Sequence, residues 1–415
     1  MGVLFLATVL TYLDRQTLSL CAPMISEEFK LSNEQYGQLV AAFRGAYALT
    51  HIPAGWLADR FSVRAIYALA VGLWSLAGAA GAFILSARQL LATRLVLGMG
   101  EAFNWPCASR IVANTLPSTE RGLGSGIFNS GAAIGSLLAP LIITPIALAF
   151  GWRWAFLTVG AAGAFWIVLW IIFTRRGEVA DSISRNAPGQ ENASLTSAAS
   201  IPLAQSSSSQ PEATRFYQLL ARPAFWMLLI VAVTVNPCWY FLNEWIPKYM
   251  HDVRGIGFLG AGMMTIPIFI GADLGNLVSG GCIKLLTTRG WSLPRARGVT
   301  LSAAAVLILP AAFISRVQTP TVAVLLLGLA AFGITSIVAN YTACMQDLSF
   351  THVGIVAGVN GMASNLCAAL VNPYIGRYVD RTGNYTLILV LLALLPIVSV
   401  LAVIAFDSRN RTIQE

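Results

Sequence analysis

Charge is what this sequence has least of. Only 11% of its 415 residues are charged, against about a quarter in soluble proteins. A water-facing shell cannot be built from so few charges, so soluble domains are excluded although the length would hold two or three. Lysine is nearly absent: 23 of the 26 basic residues are arginine. Histidine is rare too, and His51, His251 and His352 lie far apart and never form HExxH. The six cysteines stand singly, with no CxxC, so neither a disulfide framework nor a zinc site is implied. No Gly-Lys pair occurs anywhere, which rules out a Walker A loop and with it an ATP-driven pump. A basic n-region is missing ahead of the first apolar run, which continues past Asp14-Arg15; it reads as a membrane span and not as a signal peptide. So abrupt a start is what a chain lacking a short basic leader before Met1 would show.

What is there is apolar. Hydrophobic residues make up 56% of the chain and the mean hydropathy is +0.70. Twelve apolar segments of about 20 to 27 residues suit a ~30 Å hydrocarbon core: 1–23, 36–57, 65–85, 89–113, 122–148, 152–173, 223–246, 256–283, 298–315, 320–346, 352–376 and 385–406. With the N-terminus placed inside, the inner loops hold fifteen Lys/Arg and the outer loops eight. That bias puts both termini in the cytoplasm. The basic excess of 26 over 18 acids is therefore loop charge and not a nucleic-acid surface. Residues 174–222 are Ser/Ala-rich, with Pro188, Pro202 and Pro211, and read as a cytoplasmic linker. It divides an N-terminal six-helix bundle (1–173) from a C-terminal one (223–406), with a tail at 407–415. Pro53-Ala54-Gly55-Trp56 near the end of span 2 lines up with Ser279-Gly280-Gly281-Cys282 near the end of span 8, an offset of 226 residues. The expected fold is all-α and polytopic, twelve transmembrane helices in two pseudo-symmetric bundles with a site at their interface.

Six ionisable residues lie well inside predicted spans: Asp14, Arg15, Arg44, Arg94, Glu101 and Asp273. Each costs ~2.5–3.5 kcal/mol at a helix centre even on a lenient scale, so they must face one another or a wet cavity. Three are basic and three acidic. Arg94 and Glu101, seven apart, share a face of span 4; Arg44, Tyr47 and His51 form a stripe down span 2. Asp14 and Arg15 are consecutive and cannot both face one partner. One reading is a static ion-pair network. The other is a cavity in which arginines hold an anion and a carboxyl carries a proton, since an anion on the arginine frees the acid to protonate. That linkage is symport chemistry. A serine hydrolase built on Gly124-Ser125-Gly126 has no histidine placed to meet it, and small-residue packing explains the tripeptide better.

At these residues the chain resembles the major facilitator superfamily, and within it the anion:cation symporters of bacterial sugar acids. Gly55-Trp56-Leu57-Ala58-Asp59-Arg60 with Arg64 is similar to the superfamily's loop 2–3 motif, although Ser62 replaces a usual glycine and the second-half copy has Leu285 for the expected acid. Tyr12-Leu13-Asp14-Arg15-Gln16, Gly98-Met99-Gly100-Glu101-Ala102-Phe103-Asn104-Trp105-Pro106, Asn129-Ser130-Gly131 and Gly151-Trp152-Arg153-Trp154 are similar to the hexuronate branch, as are Trp239-Tyr240-Phe241 and Trp245-Ile246-Pro247-Lys248-Tyr249. Asn360 and Asn365, ahead of Asp380-Arg381-Thr382-Gly383, look more like aldonate and aldarate members. The resemblance implies that Arg15 and Arg94 grip a carboxylate and that Glu101 and Asp14 are proton-coupling acids. It further implies that Tyr12, Tyr47 and Asn360 contact the sugar. Asp59, Arg60 and Arg64 then serve a cytoplasmic gate, bonding helix ends without doing chemistry. Arg44, a further cation facing the substrate, and Glu244 are extra charges, and Ala132 and Ile337 depart from relatives.

The expectation is a secondary carrier and not an enzyme, taking up a sugar-acid anion with protons. A hexuronate such as galacturonate or glucuronate comes first; an aldonate, aldarate or aromatic acid is the alternative. Drug:proton antiport fits less well, because three buried arginines repel cations. The partners are the carboxylate substrate, protons and the bilayer; no nucleic acid, cofactor or metal is expected, and the carrier is monomeric.

Overall fold

The computed structural model describes residues 1–116, 120–175, 222–348 and 353–411, without the side chains of 59, 121–123, 346, 353–355 and 408–411. Most of the expected linker and the last four residues lie outside them. The described residues form fourteen α-helices. The first seven are α1 (Gly2–Phe29), α2 (Asn33–Arg60), α3 (Val63–Ala80), α4 (Ala87–Glu101), α5 (Asn104–Thr115), α6 (Arg121–Phe150) and α7 (Trp152–Phe173). After residue 222 come α8 (Pro223–Asp252), α9 (Phe258–Met263), α10 (Ile266–Thr288), α11 (Leu293–Ile308), α12 (Pro320–Leu348), α13 (Val353–Thr382) and α14 (Thr386–Arg411). Helices α4 and α5 together make one traverse, as do α9 and α10, so the chain crosses twelve times.

Two expected spans are thus broken, the first near its middle and the second nearer its start. The first break follows Glu101: the amide of Ala102 bonds back to Gly98 and Gly100, and α5 restarts at Asn104 ahead of Pro106. A helix interrupted inside a membrane frees backbone groups that only a protein interior or wet cavity can satisfy. At the other extreme, α14 runs on to Arg411, through the stretch read as a tail. Asp407 is buried there and, with Asp347, receives both amino groups of Arg297, at 3.1 and 2.7 Å. Arg297, expected in an inner loop, therefore pins α11 to the ends of α12 and α14.

Among the described residues, eight traverses are long and apolar enough to cross a membrane unaided. The four that fall short are α1, α2, α4–α5 and α13. Their polar residues lower their hydropathy, and several of those residues meet in the interior.

We call the face carrying the turn at Lys30 distal and that carrying residue 2 proximal. Helices α2 and α13 cross closely at the distal face. A Cβ on Gly376 would lie 2.0 Å from the carbonyl oxygen of Asn33, and one on Gly37 would lie 2.4 Å from that of Asn372. Only hydrogen atoms fit there. Two polar ties lock the crossing. Asp380 accepts from the amides of Asn33 and Glu34 (2.9 and 2.8 Å) and from Asn33 Nδ2 (2.8 Å), capping α2 from the other bundle. Arg377 meets both oxygens of Glu34 at 3.1 and 2.5 Å. Every described hydrogen bond between the bundles lies in the distal half or at mid-depth, so the bundles are closed distally.

Candidate functional site

Between the bundles, near mid-depth on α1, α2 and α8, lie two small adjoining cavities. Arg15 and Glu244 line both, making them two lobes of one chamber. The proximal lobe is lined also by Tyr12, Gln16, Arg44, Trp239, Tyr240 and Asn243. The distal lobe adds Leu18, Ser19, Tyr36, Val40, Phe43 and Arg94.

The charges pair in an order that spacing did not give. Glu101 bonds not Arg94 but Arg15, whose Nε lies 2.6 Å from Oε2. The break after Glu101 leaves its carboxyl facing α1. Arg15 is further enclosed by the rings of Tyr12, Phe43 and Tyr47, 5.2, 5.4 and 5.0 Å from its guanidinium carbon. Its NH2 has no hydrogen-bond partner among the described residues, nor does Glu101 Oε1, although both are buried. Arg44 crosses the bundle interface: its Nε is 2.6 Å from Glu244 Oε1 and its NH1 is 3.0 Å from Asn365 Oδ1. Its guanidinium carbon lies over Tyr240, 3.7 Å from the ring centre.

Arg94 stands apart. It is 3% exposed and lines the distal lobe. Its guanidinium lies 5.2 Å from the ring centre of Phe156, yet it forms no hydrogen bond or ion pair with any described residue. Asp14 and Glu101 are its foremost charged neighbours, but neither is in contact. A buried guanidinium without an acceptor is costly, and the open space beside it suits one.

Other expected residues are placed differently. Asp14 is buried but lines neither lobe; it points into the N-terminal bundle, where a Cβ on Gly78 would lie 2.9 Å from its Oδ1. This follows from its being consecutive with Arg15, which takes the chamber side. Asn360 is fully buried and bonds the carbonyl of Val356 in its own helix. It lines neither lobe, because Asn365, more than a turn further along α13, is the residue that reaches Arg44. Asp273 is half-buried and joins no described ion pair. Among the described residues, the acid that lines the chamber is Glu244. Tyr47, beside Arg15, lies with its ring 5.3 Å from that of His51 and tilted 30° to it. Of the gate residues, Arg60 is exposed and lies over Trp56 at 5.0 Å. Arg64 is half-buried, its carbonyl accepting from Trp170 Nε1 at 3.0 Å. The side chain of Asp59 lies outside the described residues.

Sequence reasoning missed Gln16, Asn243, Tyr36 and the central place of Glu244. Gln16 Nε2 donates to Asn243 Oδ1 (3.0 Å), Ser19 Oγ to the Asn243 carbonyl (2.7 Å) and Tyr36 OH to that of Glu244 (2.5 Å). These bonds seal the chamber distally. One signal was available: Arg44 required a partner, and Glu244 was the remaining carboxylate, disguised by span 7 being drawn to end at residue 246. Helix α8 in fact continues to Asp252.

A two-bundle helical fold enclosing a polar, charge-balanced chamber is the architecture of a membrane transporter. The model of the Major Facilitator Superfamily matches residues 4–372. The hexuronate transporter of Bacillus subtilis (strain 168) is 30% identical over 410 residues, covering 97% of this chain and 93% of that protein. A probable L-galactonate transporter of Escherichia coli (strain K12) is 29% identical over 406 residues, covering 94% and 85%. A bacterial homologue of the human lysosomal transporter Spinster, solved inward-facing and unoccupied, shares the fold with a TM-score of 0.70 at 20% identity, over 98% of this chain and 94% of that one. The chain belongs to the major facilitator superfamily. Its fold and relatives are those of membrane transporters rather than enzymes, and the named relatives are sugar-acid carriers.

Proposed function

We propose that this protein is a proton-coupled symporter of a sugar-acid anion, a hexuronate such as galacturonate or glucuronate in the first instance. It works by alternating access as a monomer in the bacterial cytoplasmic membrane, with both termini inside and the proton gradient as its energy source. The observation that carries the reading is Arg94, a buried guanidinium facing an open lobe without an acceptor. A carboxylate offers the bidentate acceptor that arginine prefers. Tyr12, Gln16 and Asn243 line the adjoining lobe and offer hydrogen bonds to hydroxyl groups.

The chemistry follows from charge. Arg15, Arg44 and Arg94, which line the chamber, are balanced by Glu244 in its wall and by Glu101 and Asp14 beside it, so the site as a whole is neutral when all six are ionised. An entering monoanion makes it negative. As the anion engages Arg94 and draws on Arg15, Glu101 loses its counter-charge and takes a proton, with Asp14 the neighbouring acid. The loaded site is again neutral and the two bundles, residues 1–173 and 223–406 joined by 174–222, rock around it. At about 100 mV, inside negative, one anion alone enters against roughly 2.3 kcal/mol. One co-transported proton cancels that charge. In this cycle Asp59, Arg60 and Arg64 belong to the proximal gate.

The test is a thermal-shift panel of hexuronates, aldonates, aldarates, aromatic acids and uncharged hexoses on the purified protein, repeated with Arg94→Ala. Galacturonate or glucuronate is expected to stabilise the native protein and to lose its effect in the variant. Stabilisation by uncharged hexoses alone would replace the reading with a neutral-sugar carrier.

A further inference from the structure

The pair Arg15–Glu101 lies within one bundle, so nothing that happens to it alone can part the two bundles. Arg44–Glu244 is different, because α2 supplies the arginine and α8 the glutamate. The two side chains are only 6% and 12% exposed, and opening the distal face must separate them. Were both still ionised, the separation would leave two unpaired charges at mid-membrane depth. Resting on the symport reading above, we propose that Glu244 is a second proton-exchanging carboxyl and that its bond to Arg44 is a proton-released clasp between the bundles.

Three features make Glu244 exchangeable and not a fixed strut. It lines both lobes, so chamber water and substrate reach it. Its Oε2 is buried and accepts no hydrogen bond from the described residues. And Arg44 does not depend on it alone: the Tyr240 ring and Asn365 Oδ1 hold the guanidinium when the carboxylate is neutral. A static buried pair would bond both oxygens and offer its cation no second home. The groups facing Glu244 are Arg44 and Tyr36 from α2, Arg15 and Ser19 from α1, Asn372 from α13, and Arg94 from α4 across the distal lobe. Arg15, Arg44 and Arg94 are the cations among them, so an anion arriving on those arginines weakens their hold on Glu244 and favours its protonation. The proton comes from the chamber water, forms the O–H bond on Glu244 and leaves as water takes it on the other side.

The test needs no substrate. Spin labels at the exposed Glu27 and Val253, at the distal ends of α1 and α8, report distal opening by pulsed dipolar spectroscopy between pH 8 and pH 5. In the unaltered protein the open fraction is expected to rise as pH falls. Glu244→Gln should raise it at least about tenfold at pH 8, the effect of losing a charged hydrogen bond, and flatten the rise. Glu244→Asp should retain the pH response. Asp14 and Glu101 are present in all three proteins, so the difference belongs to residue 244. If Glu244→Gln keeps the full pH response, with or without a shift in distance, the clasp is merely structural and the proposal fails. Absence of sugar-acid binding would strike the symport reading instead, leaving this titration to decide on the clasp.

Discussion

Removing the cap that Asp380 places on α2 should tip the carrier toward its distally open form. In the closed form Asp380 accepts three hydrogen bonds, two from the first amides of α2 and one from Asn33 Nδ2. Distal opening must break all three, because Asp380 belongs to the opposite bundle. An N-cap contributes about 1 kcal/mol, with a range of 0.5–2, and a carboxylate at a helix N-terminus adds 0.3–1 kcal/mol through the helix dipole. Water replaces part of this when the gate opens, so Asp380→Ala should cost the closed form about 1–2 kcal/mol, a 5- to 30-fold change in the ratio of the two forms. The same label pair at Glu27 and Val253 measures it directly. Asp380 and Glu34 lie outside the apolar spans, and pH gives an independent check. Arg377 holds the Glu34 carboxyl below its usual range. Partial burial opposes ionisation of Asp380, but the amides of Glu34 and Asn33 outweigh it and hold that carboxyl low as well. A depressed pKa in the closed form stabilises closure above the ordinary carboxylate pKa and loses it as pH falls through the lowered value. The Asp380 contribution should therefore be intact at pH 5 and above, and fade only below about pH 4. A distance distribution in Asp380→Ala superimposable on the parent at pH 7 would refute the cap as a gate element.

Three further outcomes are expected. Glu101→Gln should still exchange sugar acid across a vesicle membrane but fail to accumulate it against a gradient; unimpaired concentrative uptake would remove Glu101 from coupling. Gly376→Ala drives a methyl into the Asn33 carbonyl and should favour distal opening, read as faster alkylation of a cysteine placed at the otherwise buried Ser19; an unchanged rate would mean the crossing relaxes without cost. Arg297→Leu leaves Asp347 and Asp407 without their shared cation. It should destabilise the protein by about 3 kcal/mol, the lower end for breaking a buried pair because Asp347 is partly exposed; an unaltered unfolding midpoint would show the cluster to be inert.

Much of this was readable from the chain. Apolar runs of membrane length fix the number of crossings, because a backbone in lipid must bond to itself within each segment. Equally legible was that buried charges must gather, since none is tolerated facing hydrocarbon. Five of the six intramembrane charges named from sequence do lie in the interior, three of them lining the chamber and Glu101 and Asp14 beside it. Pairing was another matter. Periodicity gives the face of a helix a residue occupies, not which helix meets that face. So Arg94 and Glu101, sharing a face, were natural partners until the break after Glu101 turned its carboxyl to Arg15 and left Arg94 bare. The same limit hid Glu244, which no spacing within span 7 connects to Arg44, 200 residues away. Nor could spacing show that Asn365, and not Asn360, bonds Arg44 across the bundles. The sequence by itself determined a membrane-embedded helical carrier with a charged interior, because hydration costs act on each residue separately. Only the tertiary structure decided which charges are bound, which lack a partner among the described residues and which pair spans the two bundles, because those depend on distances between helices.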